Sequence, residues 1–373
     1  MSTFLDIIDR TAWPALGSAI DTATPADVER ALAAERPSDD DLIALFSPAA
    51  ARYLEPLAQR AAALTERRFG KVIQLYAPVY LTNECVNKCA YCGFSHELEI
   101  PRVTLTPARV LAEAEILHAQ GFRHILLVAG EDRRAVNLPY LKEVVAALND
   151  RFEAISIEIQ PLEREEYREL VDAGVDGLVI YQEVYDPRLY VKYHLAGPKR
   201  NYRKRLRAIE AGGEAGMRTL GVGALLGLAP WRPEAVMVAR HARWLMRRFW
   251  RARIAVSFPR IRAQAHEYQP DYPVSDADLV QMICAMRIAL PDAELVLSTR
   301  EPARLRDRLL GLGITRTSAG SSTVPGGYTS HDHAGEQFEI EDSRSPAEVA
   351  SVIADLGFEP VWKDFDRMFV LAR

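Results

Sequence analysis

The chain has 373 residues, 49% hydrophobic and 26% charged, with a net charge of −5 at neutral pH. That length buries one large core or two ordinary ones, and the composition excludes extensive disorder. The net negative charge argues against a general nucleic-acid binder, and no apolar run approaches the roughly eighteen residues of a membrane helix.

The opening "MSTFLDIIDRTAW" carries acids where a signal peptide carries a basic stretch, so a cytoplasmic location is expected. Residues 1–70 read as an accessory helical segment, with Thr24 as N-cap and Pro25 at the first helical position of "TPADVERALAA". From residue 72 onward, short apolar runs alternate with amphipathic stretches. Strands are predicted at 72–81, 124–130, 154–160, 177–181, 218–226, 253–258, 293–299 and 315–320. Helices are predicted at 106–119, 138–150, 164–173, 200–216, 233–250, 275–289 and 302–311, with another near 346–356. Eight such units predict an α/β fold, a (β/α)₈ TIM-type barrel over residues 71–320, with a doubly wound open sheet as the alternative. Residues 321–373 are expected to form a C-terminal extension that closes the barrel and ends in the apolar run "RMFVLAR".

Strand periodicity sorts side chains between the two faces. In "AISIEIQ", Ile155, Ile157 and Ile159 alternate with Ser156, Glu158 and Gln160. Because the helices supply an apolar outer layer, the polar set is assigned to the lumen, where it reads as a site or as a buried structural network. In "RHARWLMRRFWRAR", Arg240, Arg243, Arg247 and Arg251 recur at helical spacing. They read as a solvated helix face or as a dock for an acidic protein partner.

Three of the four cysteines, Cys85, Cys89 and Cys92, lie within eight positions in "LTNECVNKCAYCGF". Such usage is no disulfide framework. The cluster follows the first strand, at the carboxyl end of the barrel where sites in this architecture are built. A structural zinc needs four protein ligands, which His96 would complete. An iron–sulfur cube has four corners, completed by Cys284 or left open at one iron. Cys284, in the apolar "LVQMICAMRIAL", reads as a buried small hydrophobe.

The C-x₃-C-x₂-C spacing, with an aromatic before the last cysteine, resembles the radical S-adenosylmethionine (SAM) superfamily. The resemblance implies a [4Fe–4S] cluster on Cys85, Cys89 and Cys92, whose fourth iron is chelated by the methionine moiety of SAM. It further implies reductive cleavage of SAM to a 5′-deoxyadenosyl radical. "VAGED" resembles the Gly-Gly-Glu segment of the superfamily, with Ala129 replacing the first glycine. This implies that Gly130 admits the cofactor and Glu131 takes the methionine amino group. Glu183 in "YQEVYD" is implied near the ribose. Arg205 in "NYRKRL" is implied at the SAM carboxylate, with a surface arginine as the alternative.

Beyond the cluster, "IQLYAPVYLTNECVNKCAYCGF", "HLAGPKRNYRKRL", "SFPRIR", "LSTRE", "SAGSSTVPGGY", "GEQFEI" and "PVWKDFD" together resemble the tyrosine lyase family of thiamine thiazole biosynthesis. That family implies L-tyrosine as substrate, split between Cα and Cβ into dehydroglycine (2-iminoacetate) and 4-methylphenol. It also implies an acidic reductant, flavodoxin or ferredoxin, and a thiazole synthase partner. Tryptophan lyases and hydrogenase-maturation tyrosine lyases are similar. The latter add a second cysteine cluster near the carboxyl terminus, and this chain has no cysteine after Cys284.

Substrate residues follow from strand position. Arg300 falls on the polar face with Val296 and Ser298, where a guanidinium suits an amino-acid carboxylate. Arg260 and Arg262 in "SFPRIR" are the other cations considered. Ser318 and Ser321 flank Gly320 and are placed to donate to the same group, and Tyr80 is placed to reach the amine. A lumen salt bridge, a turn and core packing are the respective structural alternatives.

Overall fold

Eight parallel strands close on themselves: β1 (Val72–Thr82), β2 (His124–Ala129), β3 (Ala154–Glu158), β4 (Gly177–Val179), β5 (Thr219–Gly223), β6 (Arg253–Ser257), β7 (Glu294–Leu297) and β8 (Arg316–Ser318). This computed structural model describes residues 3–261, 268–329 and 334–363. Each strand pairs with the next, and β8 returns to β1 with Arg316, Thr317 and Ser318 opposite Gln74, Leu75 and Tyr76. That closure makes the fold a (β/α)₈ barrel and overturns the open-sheet alternative.

Alternation along the strands builds two layers. Ile125, Leu127, Ile155, Ile157, Leu178, Leu220, Val222 and Leu295 are buried in the main core, with the helices. Tyr76, Tyr80, Leu126, Val128, Ala255 and Val296 form a separate inner cluster. The predicted helices appear within two residues of their expected ends. Thr24 caps the helix Pro25–Ala33 by accepting from the Asp27 amide.

Most strands stop earlier than the apolar pattern does, because their carboxyl ends leave the ladder to become the loops that carry the site. Glu158 is the last residue of β3 and faces the lumen cavity as expected. Gln160 lies beyond the ladder and does not. It turns away and donates from Nε2 to the Val136 carbonyl at 2.7 Å.

Two of the four arginines of the stripe are structural, while Arg247 is exposed. Arg240 pairs with Asp39 and Arg243 donates to the carbonyls of Pro37, Ser38 and Ala289, so both fasten the helix Trp231–Arg248 to the amino-terminal segment. Arg251 lies past the helix end and stacks on Trp250, 4.9 Å from its ring centre.

The carboxyl-terminal segment adds a feature that the sequence pattern did not reveal. After the helix Pro346–Asp355, a short strand, Glu359–Val361, pairs in parallel with Val72–Gln74 at the amino end of β1. Upstream of it, residues 334–338 lie across the barrel mouth. The Gly93 amide donates to the Gln337 carbonyl at 3.3 Å, and the Gln337 amide to that of Thr323 at 3.4 Å. "RMFVLAR" lies outside the described residues, and no described helix is long and apolar enough to cross a membrane.

Candidate active site

The cysteine loop is held by its own polar residues where β1 leaves the barrel. Asn83 accepts from the Val103 amide at 2.7 Å and donates to the Pro101 carbonyl at 2.8 Å. The Arg102 guanidinium donates to the carbonyls of Asn83, Phe94, Ser95 and Leu98. A two-residue strand, Lys88–Cys89, pairs antiparallel with His194–Ala196 and ties the loop to the chain after β4.

Cys85, Cys89 and Cys92 line one cavity, and all three are free thiols. Burial pushes each thiol's pKa up, Cys92 to about 11. Such thiols stay protonated unless a metal takes the proton's place. The Phe94 amide donates to the Cys92 sulfur at 3.4 Å, as a thiolate ligand favours. Among the described residues, no three His, Cys, Asp or Glu side chains converge as they would on a single ion. A cube in which each thiolate takes a different iron does not ask for that convergence. His96 is exposed, with Nδ1 3.2 Å from the Cys85 carbonyl oxygen. Cys284 is fully buried in the helix Asp276–Ala289, near the Leu312 carbonyl.

Behind the cysteines lies a compact set of charges. Gly130 sits so close to the cysteine loop that a Cβ there would come within 2.2 Å of the Glu84 carbonyl oxygen, which requires glycine. Glu131 follows directly. Its carboxylate accepts from Arg205 at 2.7 Å and from Asn87 at 2.8 Å. Glu183 accepts from Lys199 at 2.7 Å and from Arg205 at 3.4 Å, and Arg205 also donates to the Tyr181 carbonyl. Burial pulls both carboxyls upward, but Arg205 and Lys199 outweigh it and hold Glu131 and Glu183 below the usual range. The surface alternative for Arg205 is thereby overturned, since it is buried between two carboxylates. Two negative and two positive charges fit a polar zwitterionic cofactor, and the three thiols fit an iron–sulfur cluster.

A second cavity fills the lumen next to the first. Tyr80, Arg300, Ser318 and Ser321 all line it, with Tyr76, Tyr181, Glu158 and Phe338. The Tyr80 hydroxyl donates to Gln337 Oε1 at 2.7 Å, and the Arg300 guanidinium lies 3.3 Å from the Phe338 ring centre. Ser318 Oγ accepts from the Thr299 amide at 3.1 Å, whereas the buried Ser321 Oγ has no hydrogen-bond partner among the described residues. Val128, Glu158 and Gln337 line both cavities and so form the wall between them. Arg260 does not reach either cavity. Its guanidinium is bound by Glu301, Asp276 and the Val274 carbonyl, and Arg262 lies outside the described residues.

The predicted cofactor residues thus gather around one cavity and the predicted substrate residues around the other. Sequence reasoning overlooked Asn87, Lys199 and Gln337. Asn87 and Gln337 lie on loops and Lys199 in the three-residue 3-10 helix Pro198–Arg200, none of which is long enough to carry a period that reveals an inward face. Lys199 and Gln337 fall within the quoted stretches "HLAGPKRNYRKRL" and "GEQFEI", but nothing local separates them from their neighbours.

Residues 79–237 match the radical SAM superfamily model, and residues 257–359 match that of the biotin and thiamin synthesis associated domain. The chain is 43% identical over 367 residues to the 2-iminoacetate synthases of Escherichia coli and Salmonella typhimurium, covering 98% of this chain and 97% of each of those. The crystal structure of HydG, a maturase of the [FeFe]-hydrogenase, matches with a TM-score of 0.86 at 31% identity, over 93% of this chain and 78% of that one. Methylornithine synthase (PylB), at 19% identity and a TM-score of 0.74, shares the fold.

Proposed function

Because the chain belongs to the radical SAM superfamily and, within it, to the 2-iminoacetate synthase family, we propose that it splits L-tyrosine between Cα and Cβ into 2-iminoacetate and 4-methylphenol for thiamine thiazole assembly. The observation that carries this reading is the pair of adjoining cavities, one with three thiols and a balanced charge cluster, the other aromatic with an arginine at its rim.

Cys85, Cys89 and Cys92 are the residues that would hold a [4Fe–4S] cluster. Gly130, Glu131, Glu183 and Arg205, with Asn87 and Lys199, would hold SAM. When bound and reduced, this pair supplies the 5′-deoxyadenosyl radical that removes a hydrogen atom from the substrate. Arg300 pairs with the tyrosine carboxylate, and Ser321, which lacks a partner among the described residues, donates to the same group. Tyr80 stays oriented by Gln337 and keeps its oxygen lone pairs toward the substrate amine. Phe338 and Gln337 cover the mouth and exclude water from the radical's path.

In this reading residues 1–70 are accessory, 71–320 carry most of the catalytic residues, and the described part of the extension from 321 onward adds Ser321 and Gln337 and closes the barrel. The cytoplasm suits four free thiols. A flavodoxin or ferredoxin would dock at the carboxyl face, where the cysteine loop lies. Trp250 and Arg251 precede β6, at the opposite end of the barrel from that loop. Thiazole synthase would receive the 2-iminoacetate.

Anaerobic reconstitution with iron and sulfide tests the reading, followed by reduction with SAM and either tyrosine or tryptophan. The expected outcome is a brown protein that forms 4-methylphenol from tyrosine. A colourless zinc protein, or turnover of tryptophan alone, would overturn it.

A further inference from the structure

Three carboxylates border the two cavities, and they are not alike. Glu131 and Glu183 are ion-paired with Arg205 and Lys199. The Glu158 carboxylate has no hydrogen bond or ion pair to any described residue; burial and Glu183 push its carboxyl up to about 7. Glu158 ends β3 opposite Val128 of β2, which in turn lies opposite Tyr80 of β1. The three form one row across the lumen at the level where the cavities meet. Among the described residues lining the substrate cavity, Glu158 is the one acid and Arg300 the one cation. An α-amino acid enters as a zwitterion, so a carboxylate at Arg300 leaves an ammonium group that needs an anion.

We propose that Glu158 binds the α-ammonium group of the amino-acid substrate and accepts a proton from it, leaving the neutral amine from which hydrogen is abstracted. This rests on the lyase reading above. The N–H bond breaks heterolytically, its electron pair stays on nitrogen and the proton forms an O–H bond on Glu158, with no change of oxidation state. The wall between the cavities is the place for this step, since the amine must face the cofactor side. Other titratable or charged groups near Glu158 are Tyr76 and Tyr80 on β1, Tyr181 and Glu183 after β4, Lys199, Arg205, and Arg300 after β7. The tyrosines are held protonated by burial, and Lys199 and Arg205 are committed to Glu131 and Glu183.

The test uses cluster-reconstituted, SAM-loaded enzyme and two ligands, L-tyrosine and 3-(4-hydroxyphenyl)propionate, which lacks the amine. Binding is measured by calorimetry from pH 6 to 8.5. Wild-type affinity for tyrosine is expected to rise roughly tenfold through an inflection near pH 7, as an ionised acid captures a cation. The propionate is expected to weaken over the same range. Glu158→Gln should bind tyrosine at least about tenfold more weakly than wild type at pH 8, without pH dependence, and bind the propionate as well or better. At saturation its tyrosine cleavage should fall by about a hundredfold or more, as for loss of a proton acceptor, and Glu158→Asp should recover part of both effects. Parallel pH responses of the two ligands would overturn the proposal. So would a Glu158→Gln enzyme with wild-type affinity for tyrosine, and unchanged saturated turnover would overturn the proton-accepting role. Should Glu158→Gln fail to assemble a cluster, the wild-type comparison of the two ligands decides. Should the enzyme bind tryptophan and not tyrosine, the substrate assignment fails by itself, and tryptophan against indole-3-propionate decides the role of Glu158.

Discussion

Around the cysteine loop, Glu131 meets Arg205 at 2.7 Å and Glu183 meets Lys199 at 2.7 Å, whereas across the wall, among the described residues, Glu158 has no ion pair and the Ser321 hydroxyl no partner. The cofactor side is neutralised within the protein, which keeps buried charge stable between turnovers and lets the donors stand pre-oriented. The substrate side leaves polar groups unsatisfied, at a cost in stability, and a ligand with the matching charges relieves that cost. The contrast teaches that a lumen cavity's selectivity lies in what the fold leaves unpaired.

The largest expected effect breaks the cofactor side outright. Replacing Cys85, Cys89 or Cys92 with Ala should abolish the four-iron cluster and tyrosine cleavage, measured as iron content and 4-methylphenol. Cys284→Ala should keep its iron and lose only about 1–2 kcal/mol of stability, the cost of a small core truncation.

Arg205→Ala leaves the buried Glu131 with Asn87 but no ion pair and leaves Glu183 to Lys199 alone, and should destabilise the fold by about 3–5 kcal/mol by denaturant titration. The lowered Glu131 and Glu183 contribute stability that is present above the ordinary glutamate value of 4.5 and lost as pH falls through their folded values. The variant should therefore lose its deficit relative to wild type in acid. An equal deficit at pH 3 and pH 7 would show that packing, not charge, holds Arg205.

On the substrate side, a charge-assisted hydrogen bond is worth about 1.5–3 kcal/mol. Arg300→Ala should thus weaken tyrosine binding by roughly 10- to 150-fold while SAM binding and the cluster's spectrum stay as in wild type. Unchanged tyrosine affinity would move the carboxylate to another cation.

The smallest effect concerns stability alone. Glu158, raised from 4.5 to about 7, binds its proton more tightly when folded, so it costs stability increasingly as pH rises through that window. Glu158→Gln should melt above wild type at pH 8 and lose that advantage near pH 5. A constant difference across the range would mean that Glu158 is better solvated than its place in the cavity wall implies.

Much of this molecule was legible in its residues. The eight strands and their helices appear where apolar periodicity predicted them, because each element must bury one face and its period records which. The cysteine spacing and "VAGED" announced a cofactor loop, since ligands close in sequence must be close in space. Tertiary structure alone decided the rest. Whether Glu158 or Gln160 entered the lumen depended on where β3 left the ladder, and period two carries no such stop. Arg205 and Lys199 reached Glu131 and Glu183 from a stretch about seventy residues downstream of Glu131 in sequence. Arg240 and Arg243 read as part of a solvated helix face or a dock, and the tertiary structure turned them onto the amino-terminal segment. A charge written in a sequence states its sign, but its partner is chosen by closure of the barrel, which brings together groups that no local pattern relates.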